Sequence, residues 1–262
     1  MEISAYIAAV RGEADRLAAA AERAGLDARV AACPGWQVRD LVRHTGYVHR
    51  WATAYVKEQH PTWVDRFSEA EILASRPAGD EMLTSWFRDG SERLASVLER
   101  AEPGMMCWTF LDAPSPLAFW ARRQAHETAI HRVDAEQAAG IPAPGLGPFA
   151  PGLAADGVDE LLMGFARRES KRRLRSDPSC WLAIHAAGDG DWVVRMGPDT
   201  AQVMRGVIPA GDTPAGRGCE VTGPAAALYL LLWNRDGTGD LEVRGDARVL
   251  DTWREQMRVR WT

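Results

Sequence analysis

Apolar residues recur three or four positions apart through the first half of the chain, as they do along the buried face of an α-helix. Turn-forming residues interrupt this pattern at Gly25, at Cys33-Pro34-Gly35 and at Pro103-Gly104. The pattern between them predicts four helices, at about 4–25, 36–57, 80–101 and 117–139. Ser4 and Asp80 are residue types that commonly cap helices, so we expect them to begin the first and third helices. Four helices of this length with modest connections are typical of a helix bundle.

Residues 140–152 form the clearest linker of the sequence, with four prolines and four glycines in 13 positions. The linker separates a predicted bundle domain, residues 1–140, from residues 153–262, where the pattern changes. A helix is predicted at about 153–174, another after Pro224 and a third at the end of the chain. Alternating runs between them predict strands at about 180–196 (a hairpin), 201–207, 219–223 and 241–245. We therefore predict an α plus α+β fold, with a four-helix bundle followed by a small α+β domain.

Composition and charge narrow the classes of function. Hydrophobic residues make up 46% of the chain and charged residues 26%, as in ordinary globular proteins. The net charge of −5 lacks the basic excess of a general nucleic-acid binder. The amino terminus has no signal-peptide pattern, and no apolar run approaches the length of a membrane span. We expect a cytoplasmic protein that binds neither nucleic acid nor membranes, and the sequence does not indicate its oligomeric state.

The four cysteines are scattered, and no two of them form a CxxC motif. We expect them to be small buried hydrophobic residues in a reducing compartment. Cys33 and Cys107 are alternatives as catalytic nucleophiles, although neither lies in a recognisable local catalytic pattern.

The predicted fourth helix carries the densest group of chemically active side chains. Glu127 and His131 are four positions apart, so they lie on one stripe of the helix within reach of a single ion. His126 lies about 140° around the helix from His131 and cannot bind the same ion. The segment is therefore not the HExxH motif of zinc proteases, and we expect His126 in the core or at an interface.

The stripe of this glutamate–histidine pair carries three further polar residues, which are Arg123, Gln124 and Asp134. The stripe is either a solvated polar face or part of a metal site that points into the bundle. Two histidines and one glutamate are a known zinc ligand set that leaves one coordination position open. The second helix can supply the missing histidine from His44 or from His49, and helix geometry does not choose between them.

The segments CPGWQVRDLVRHTGYVHRW (33–51) and AHETAIHRVDAE (125–136) resemble the mycothiol-dependent maleylpyruvate isomerase family. The resemblance implies a DinB-like four-helix bundle and a C-terminal α+β domain similar in shape to sterol carrier proteins. In this family a histidine of the first segment and an E-x-x-x-H pair of the second bind a divalent metal, usually zinc. The resemblance therefore implies that the metal ligands are His44, Glu127 and His131.

The resemblance also implies an enzyme that uses a low-molecular-weight thiol, mycothiol, as cosubstrate. A thiol at the open metal position would lose its proton and attack a small electrophilic substrate. The catalytic group would then be a metal-bound thiolate or water rather than a side chain of the protein. Release of the thiol after attack gives an isomerase, whereas a product that keeps the thiol gives an S-transferase. The sequence identifies neither the reaction nor the electrophile.

Four further residues are candidates for the surroundings of the metal. Arg123, on the ligand stripe, and Arg244, on a predicted strand of the second domain, are candidates for binding anionic groups of the substrate or thiol. Gln124 and Asp134 are candidates for orienting the ligands. The alternative hypothesis is a non-enzymatic ligand-binding or regulatory protein that keeps the fold. It is based on the sterol-carrier-like domain and on the 11 tryptophans of the chain.

Overall fold

A computed structural model describes residues 1–63, 72, 74–77, 79–142, 146–167, 174–208 and 216–257. The chain divides into two compact units, Met1–Gly147 and Pro148–Thr262. Four long helices lie in the described part of the first unit: α1 (Ile3–Ala24), α2 (Val38–Glu58), α3 (Leu83–Arg100) and α4 (Pro116–Ala138). The second unit contains a small mixed sheet with helices. The predicted fold class, a helical bundle followed by a small α+β domain, is confirmed.

The starts of α2 and α4 follow from their local sequence. At α2, Gln37 and Asp40 form a capping box in which the side chain of each accepts a hydrogen bond from the backbone N–H of the other. At α4, the Ser115 hydroxyl accepts a hydrogen bond from the Ala118 N–H at 3.1 Å, and Pro116 occupies the first turn. These caps define the starts of the two helices that carry the candidate ligands.

Neither Ser4 nor Asp80 caps a helix, which corrects two expectations from the sequence. α1 begins before Ser4 and has no side-chain cap. Asp80 begins a short 3-10 helix that precedes α3. Its carboxylate accepts hydrogen bonds from Arg39 and Arg43 of α2, the latter at 2.9 Å. These charge-assisted bonds are stronger than a bond to one backbone N–H, so the carboxylate pairs with the arginines.

The close approach of α2 and α3 depends on a glycine. A Cβ atom at Gly46 would lie 2.2 Å from the ring of Trp86, so only glycine fits there without a shift. One turn further on, the guanidinium of Arg50 lies 3.7 Å from the centre of a Trp86 ring, a cation–π contact. The buried core around this contact includes Leu17, Ala21, Leu41, Val42, Leu83 and Phe87.

The second unit begins with α5 (Leu153–Asp159), which continues as a π-helical segment, Glu160–Phe165. One sheet has the strand order β3-β2-β1-β4-β5. Its strands and the remaining helices are β1 (Cys180–Ala186), β2 (Gly190–Met196), β3 (Ala201–Arg205), β4 (Arg217–Gly223), α6 (Ala225–Leu232), β5 (Glu242–Gly245) and α7 (Arg248–Gln256). β1 pairs with β2 as the predicted antiparallel hairpin, and β1 pairs with β4 in parallel.

The helix predicted at 153–174 is shorter than expected. The described helical residues end at Phe165, residues 168–173 lie outside the described part of the chain, and Leu174 is not helical. The apolar pattern also ends at Phe165, since the residues that follow in the sequence are mostly charged. No helix among the described residues is both long and apolar enough to cross a membrane.

Candidate metal centre

α2 and α4 run antiparallel, because His44 contacts Glu127 and, further along, Trp51 contacts Trp120. The helix α4 is enclosed by the bundle, and nearly every residue from 117 to 136 is buried. Its polar residues therefore lie inside the bundle. The interpretation of this stripe as a solvated polar face is wrong.

The three residues implied as ligands come together between α2 and α4. His44 Nε2 lies 3.1 Å from Glu127 Oε1, and His131 Nε2 lies 3.3 Å from the same oxygen. Each residue offers a ligand atom that lies within 4.8 Å of those of the other two. Glu127 and His131 are buried, whereas the side chain of His44 is 16% exposed. The group is thus enclosed by the bundle and accessible to solvent at His44.

Both candidate ligands on α4 are held by further side chains. Asp134 Oδ2 lies 2.9 Å from His131 Nδ1, and an Arg123 N–H donates a hydrogen bond to Glu127 Oε2 at 3.0 Å. The contact with Asp134 places a proton on Nδ1 and leaves Nε2 as the nitrogen directed at Glu127. Likewise, Arg123 binds Oε2 of Glu127, which leaves Oε1 to face His44 and His131.

Trp36 packs against both histidines from the turn that precedes α2. Its ring centre lies 5.0 Å from that of His44 and 6.3 Å from that of His131. The two imidazoles themselves lie edge to face at 5.2 Å. Sequence reasoning missed this residue, although it directly follows the Cys33-Pro34-Gly35 turn in a segment that carries the family resemblance.

Cys33 lies close to Asp134, a contact that the sequence did not indicate. Its Sγ is 3.8 Å from Asp134 Oδ2, although the two residues are 101 positions apart. Cys33, His131 and Asp134 form a second group whose potential ligand atoms lie within 4.8 Å of one another. Because Asp134 already engages His131 Nδ1, the first group, which uses Nε2, is the better candidate for a metal site. Cys107 is buried, and burial raises the pKa of its thiol, which disfavours a role as nucleophile.

The charges of the centre are coupled. Burial alone would raise the pKa of Glu127, but the hydrogen bonds with His131 and His44 outweigh it and hold the pKa well below its ordinary value. Burial alone would lower the pKa of His131, but the hydrogen bonds with Asp134 and Glu127 raise it. Glu127 is therefore ionised, and its buried negative charge requires a positive charge beside it.

The other two histidines considered in the sequence lie outside this centre. His49 is buried, its Nε2 lies 2.9 Å from Thr128 Oγ1, and its ring stacks on Phe87 at 5.4 Å. Burial, followed by the charge of Arg50, lowers the pKa of His49 to about 3, so its ring is neutral. His126 is also buried, in edge contact with a tyrosine ring at 6.3 Å. The structure thus places His44, and not His49, beside Glu127.

Gln124 and Arg244 have different surroundings. Gln124 lies on the ligand stripe of α4 and is 1% exposed, and its side-chain oxygen has no hydrogen-bond partner among the described residues. Arg244, on β5, has a side chain that is 71% exposed and pairs with Glu242 at 2.7 Å. Its predicted role in binding anions stays a prediction.

Two family models together span most of the chain. Residues 7–136 match the model described as mycothiol maleylpyruvate isomerase N-terminal domain, and residues 152–252 match the one described as MDMPI C-terminal domain. The chain belongs to the mycothiol-dependent maleylpyruvate isomerase family. This confirms the resemblance inferred from the segments 33–51 and 125–136, and the first unit is the DinB-like bundle of this family. No curated protein sequence matches the chain.

Two solved structures are similar to this member of the maleylpyruvate isomerase family. They are a crystal structure of the mycothiol-dependent maleylpyruvate isomerase, with a TM-score of 0.61, and one of a histidine-to-alanine mutant of that enzyme, with a TM-score of 0.59. Each is 12% identical to this chain, and each alignment covers 93% of both chains. At this level of identity the likeness shows the fold alone.

The donor atoms at the centre fit a divalent metal. Two imidazole nitrogens and one carboxylate oxygen form a ligand set that suits zinc. The two nitrogens already converge on Glu127 Oε1, as donor atoms around one bound cation do. In zinc sites the second ring nitrogen of a histidine ligand commonly donates a hydrogen bond to a carboxylate, and Asp134 is in that position beside His131.

Proposed function

We propose that this member of the maleylpyruvate isomerase family is a metal-dependent enzyme that activates a low-molecular-weight thiol, mycothiol, for attack on a small electrophilic substrate. The proposed metal is zinc, and its proposed ligands are His44, Glu127 and His131. The observation that carries the proposal is the convergence of both histidine Nε2 atoms on one oxygen of Glu127. Three protein ligands leave a fourth zinc position open for a thiol or water.

The protein's own part in this chemistry is to hold the ligands in the form that binds a metal. A bound zinc ion would supply the charge that lowers the thiol pKa from about 8.5, so that thiolate forms at neutral pH. Asp134 keeps the proton of His131 on Nδ1, and Arg123 holds Glu127 with one oxygen turned towards His44. Trp36 packs against both imidazoles from the turn that precedes α2.

The isomerase and transferase reactions begin in the same way. Sulfur forms a bond to a carbon of an activated double bond, and the π electrons move onto the adjacent electron-withdrawing group. In an isomerase, rotation about the new single bond is followed by loss of the thiolate, which restores the double bond. In a transferase, the neighbouring carbon takes up a proton, equivalent to the one that the thiol lost, and the carbon–sulfur bond remains. The proposed ligand set suits either reaction.

Anionic groups of the substrate or thiol need a cationic partner, preferably arginine. Since Arg123 is buried against Glu127, we propose that its main role is to position that carboxylate. Arg244 has an exposed guanidinium and remains our candidate for binding a carboxylate.

Metal content and thiol turnover test the proposal together. Protein purified without chelators should contain about one zinc ion per chain and should react mycothiol with members of a panel of activated alkenes. His44→Ala should lose both properties, whereas His185→Ala, in the second unit, should keep both. Absence of bound metal, with thiol-dependent turnover retained in His44→Ala, would contradict the proposal.

The fate of the thiol separates the two reactions. An isomerase leaves the mycothiol concentration unchanged while the geometry of the double bond changes. A transferase consumes one mycothiol for each electrophile. Measurement of thiol and product in the same sample therefore identifies the reaction.

A further inference from the structure

An aromatic cluster lies next to the candidate metal centre, further along the interface of α2 and α4. Its members are Trp51, Tyr55, Trp63, Trp108, Phe110, Phe119 and Trp120. Trp51 is at its centre and contacts five of the other rings, at centroid distances from 5.1 Å for Trp120 to 6.3 Å for Phe110. Trp51 lies two helical turns from His44 on α2, and Trp120 two turns from Glu127 on α4.

Part of this aromatic cluster reaches the surface. Trp120 and Tyr55 are fully buried, whereas Trp51, Trp108 and Phe110 are half-buried. Trp63 is 56% exposed and contacts Trp51 and Trp108. Large aromatic side chains grouped at a surface beside a reactive centre are typical of a ligand-binding site.

Two buried polar atoms near the cluster have no hydrogen-bond partner among the residues that the structure describes: Trp51 Nε1 and Gln124 Oε1. The neighbouring indole differs, since Trp120 Nε1 donates to the Trp108 carbonyl at 3.1 Å. Buried polar groups are nearly always hydrogen-bonded, so two such atoms call for a partner from outside the described chain.

Gln124 lies between the aromatic cluster and the metal centre. It is four positions after Trp120 and three before Glu127, so the three residues share one stripe of α4. The same stripe faces α2, as the contacts of Trp120 with Trp51 and of Glu127 with His44 show. Gln124 therefore points towards α2, between the aromatic rings and the candidate ligands.

We propose that the aromatic cluster and Gln124 form the subsite for the electrophile, and that they select a planar aromatic ring conjugated through an activated alkene to a carboxamide group. The proposal rests on the proposed thiol-activating function and names the substrate class for it. The ring stacks against the cluster, and the carboxamide oxygen accepts a hydrogen bond from the Trp51 indole N–H. The carboxamide N–H donates a hydrogen bond to Gln124 Oε1, on the side that faces the metal centre.

Two nine-carbon unsaturated amides test this selectivity without any thiol. Cinnamamide carries the aryl ring, the alkene and the carboxamide, whereas 2-nonenamide has the same number of carbons, keeps the alkene and the carboxamide, and is more hydrophobic. Isothermal titration of the purified protein should show cinnamamide binding about tenfold tighter, because aromatic contacts add to simple burial. Non-specific hydrophobic binding would give the opposite order. Equal affinities, or tighter binding of 2-nonenamide, would overturn the proposal.

Three variants locate the binding. Trp51→Phe keeps a ring but removes the N–H, and Gln124→Leu keeps the approximate size but removes the amide. Each should weaken cinnamamide binding about fivefold or more, because each removes one hydrogen-bond partner of the carboxamide. Trp181→Phe is the matched control, because Trp181 Nε1 in the second unit is also buried without a partner among the described residues. Unchanged affinity in both Trp51→Phe and Gln124→Leu, or an equal loss in Trp181→Phe, would exclude this subsite.

The two proposals fail in different ways. Selective cinnamamide binding without any thiol-dependent turnover would retain the subsite and remove the proposed function. Thiol-dependent turnover without aryl selectivity would retain the function and remove the subsite. A bound water as the only partner of Trp51 and Gln124 would leave the affinities of both amides unaffected by the variants, which also counts against the subsite.

Discussion

Asp134 determines which nitrogen of His131 is directed at the site. Its contact with Nδ1 is 2.9 Å long and buried, so it orients the ring and favours Nε2 as the metal ligand. Asp134→Asn should lower zinc affinity about 10- to 100-fold, because the weaker acceptor makes the imidazole a poorer ligand. Competition titration with a chromophoric zinc chelator measures the change.

The second unit offers a matched control for this variant. Asp191 contacts His185 Nδ1 at 2.7 Å, the same type of pair outside the candidate centre. Asp191→Asn should leave zinc affinity unchanged. Equal losses in the two variants would show that the effect does not come from the His131 ligand.

His49 should make the stability of the protein depend on pH. Burial first, and then the charge of Arg50, lowers its pKa from 6.5 to about 3. Between these two values the unfolded chain binds a proton that the folded chain does not. The unfolding free energy that neutral His49 contributes is therefore complete above pH 6.5. It falls as the pH decreases towards 3, by about 1.4 kcal/mol per pH unit.

His49→Gln tests this pH dependence, since glutamine can still donate to Thr128 but does not titrate. Between about pH 7 and pH 5 the wild-type protein should lose about 2 kcal/mol more unfolding free energy than the variant. Urea unfolding at several pH values gives both curves. If unfolding free energy varied with pH equally in the wild type and the variant, His49 would not be held neutral in the folded protein, contrary to this prediction.

Sequence spacing predicts part of the centre at the residue scale. The four-residue spacing places Glu127 and His131 on one stripe, because helix geometry is regular. The choice of His44 needed the family resemblance, since His49 was equally acceptable on its helix. The contacts of Trp36 and Cys33 could not be predicted, because they join a turn to residues about a hundred positions away.

The packing of α2 against α3 depends on one position without a side chain. A methyl group at Gly46 would overlap the buried ring of Trp86, so Gly46→Ala should lower the unfolding free energy by about 1–3 kcal/mol. Gly12 on α1 is the matched control, because no atom lies within 4 Å of the position that a methyl group would occupy there. Gly12→Ala should instead raise the unfolding free energy by about 0.5–1 kcal/mol, because alanine favours the helix. Thermal unfolding distinguishes the two variants. A Gly46→Ala variant more stable than the wild type would contradict the close packing of Gly46 against Trp86.

Helical periodicity predicts elements better than it predicts their surroundings. The four bundle helices lie within a few residues of the predicted ranges. The same pattern does not show whether the polar stripe of α4 faces water or another helix. That stripe is buried because α1, α2 and α3 surround it, and its charges are paired within the bundle. The cap expected at Asp80 failed because its carboxylate pairs with Arg39 and Arg43, which are distant in the sequence. The cap expected at Ser4 failed because α1 begins one residue earlier, at Ile3.

At the scale of the whole molecule, we propose that the bundle is an independent metal-binding domain. All three proposed ligands and the residues that hold them lie in the first unit, Met1–Gly147. A fragment of residues 1–147 should therefore fold and bind about one zinc ion. Circular dichroism and metal analysis of the fragment test this. A folded fragment without zinc affinity would show that the second unit contributes to the site.

The central claim is that His44, Glu127 and His131 hold a divalent metal, and anomalous X-ray diffraction at the zinc edge tests it most directly. Crystals grown with zinc should show a peak about 2.0–2.2 Å from both histidine Nε2 atoms and from Glu127 Oε1. A fourth position around that peak should be occupied by water or thiol. A peak at the alternative group of Cys33, His131 and Asp134, or no ordered zinc in this region, would contradict the account.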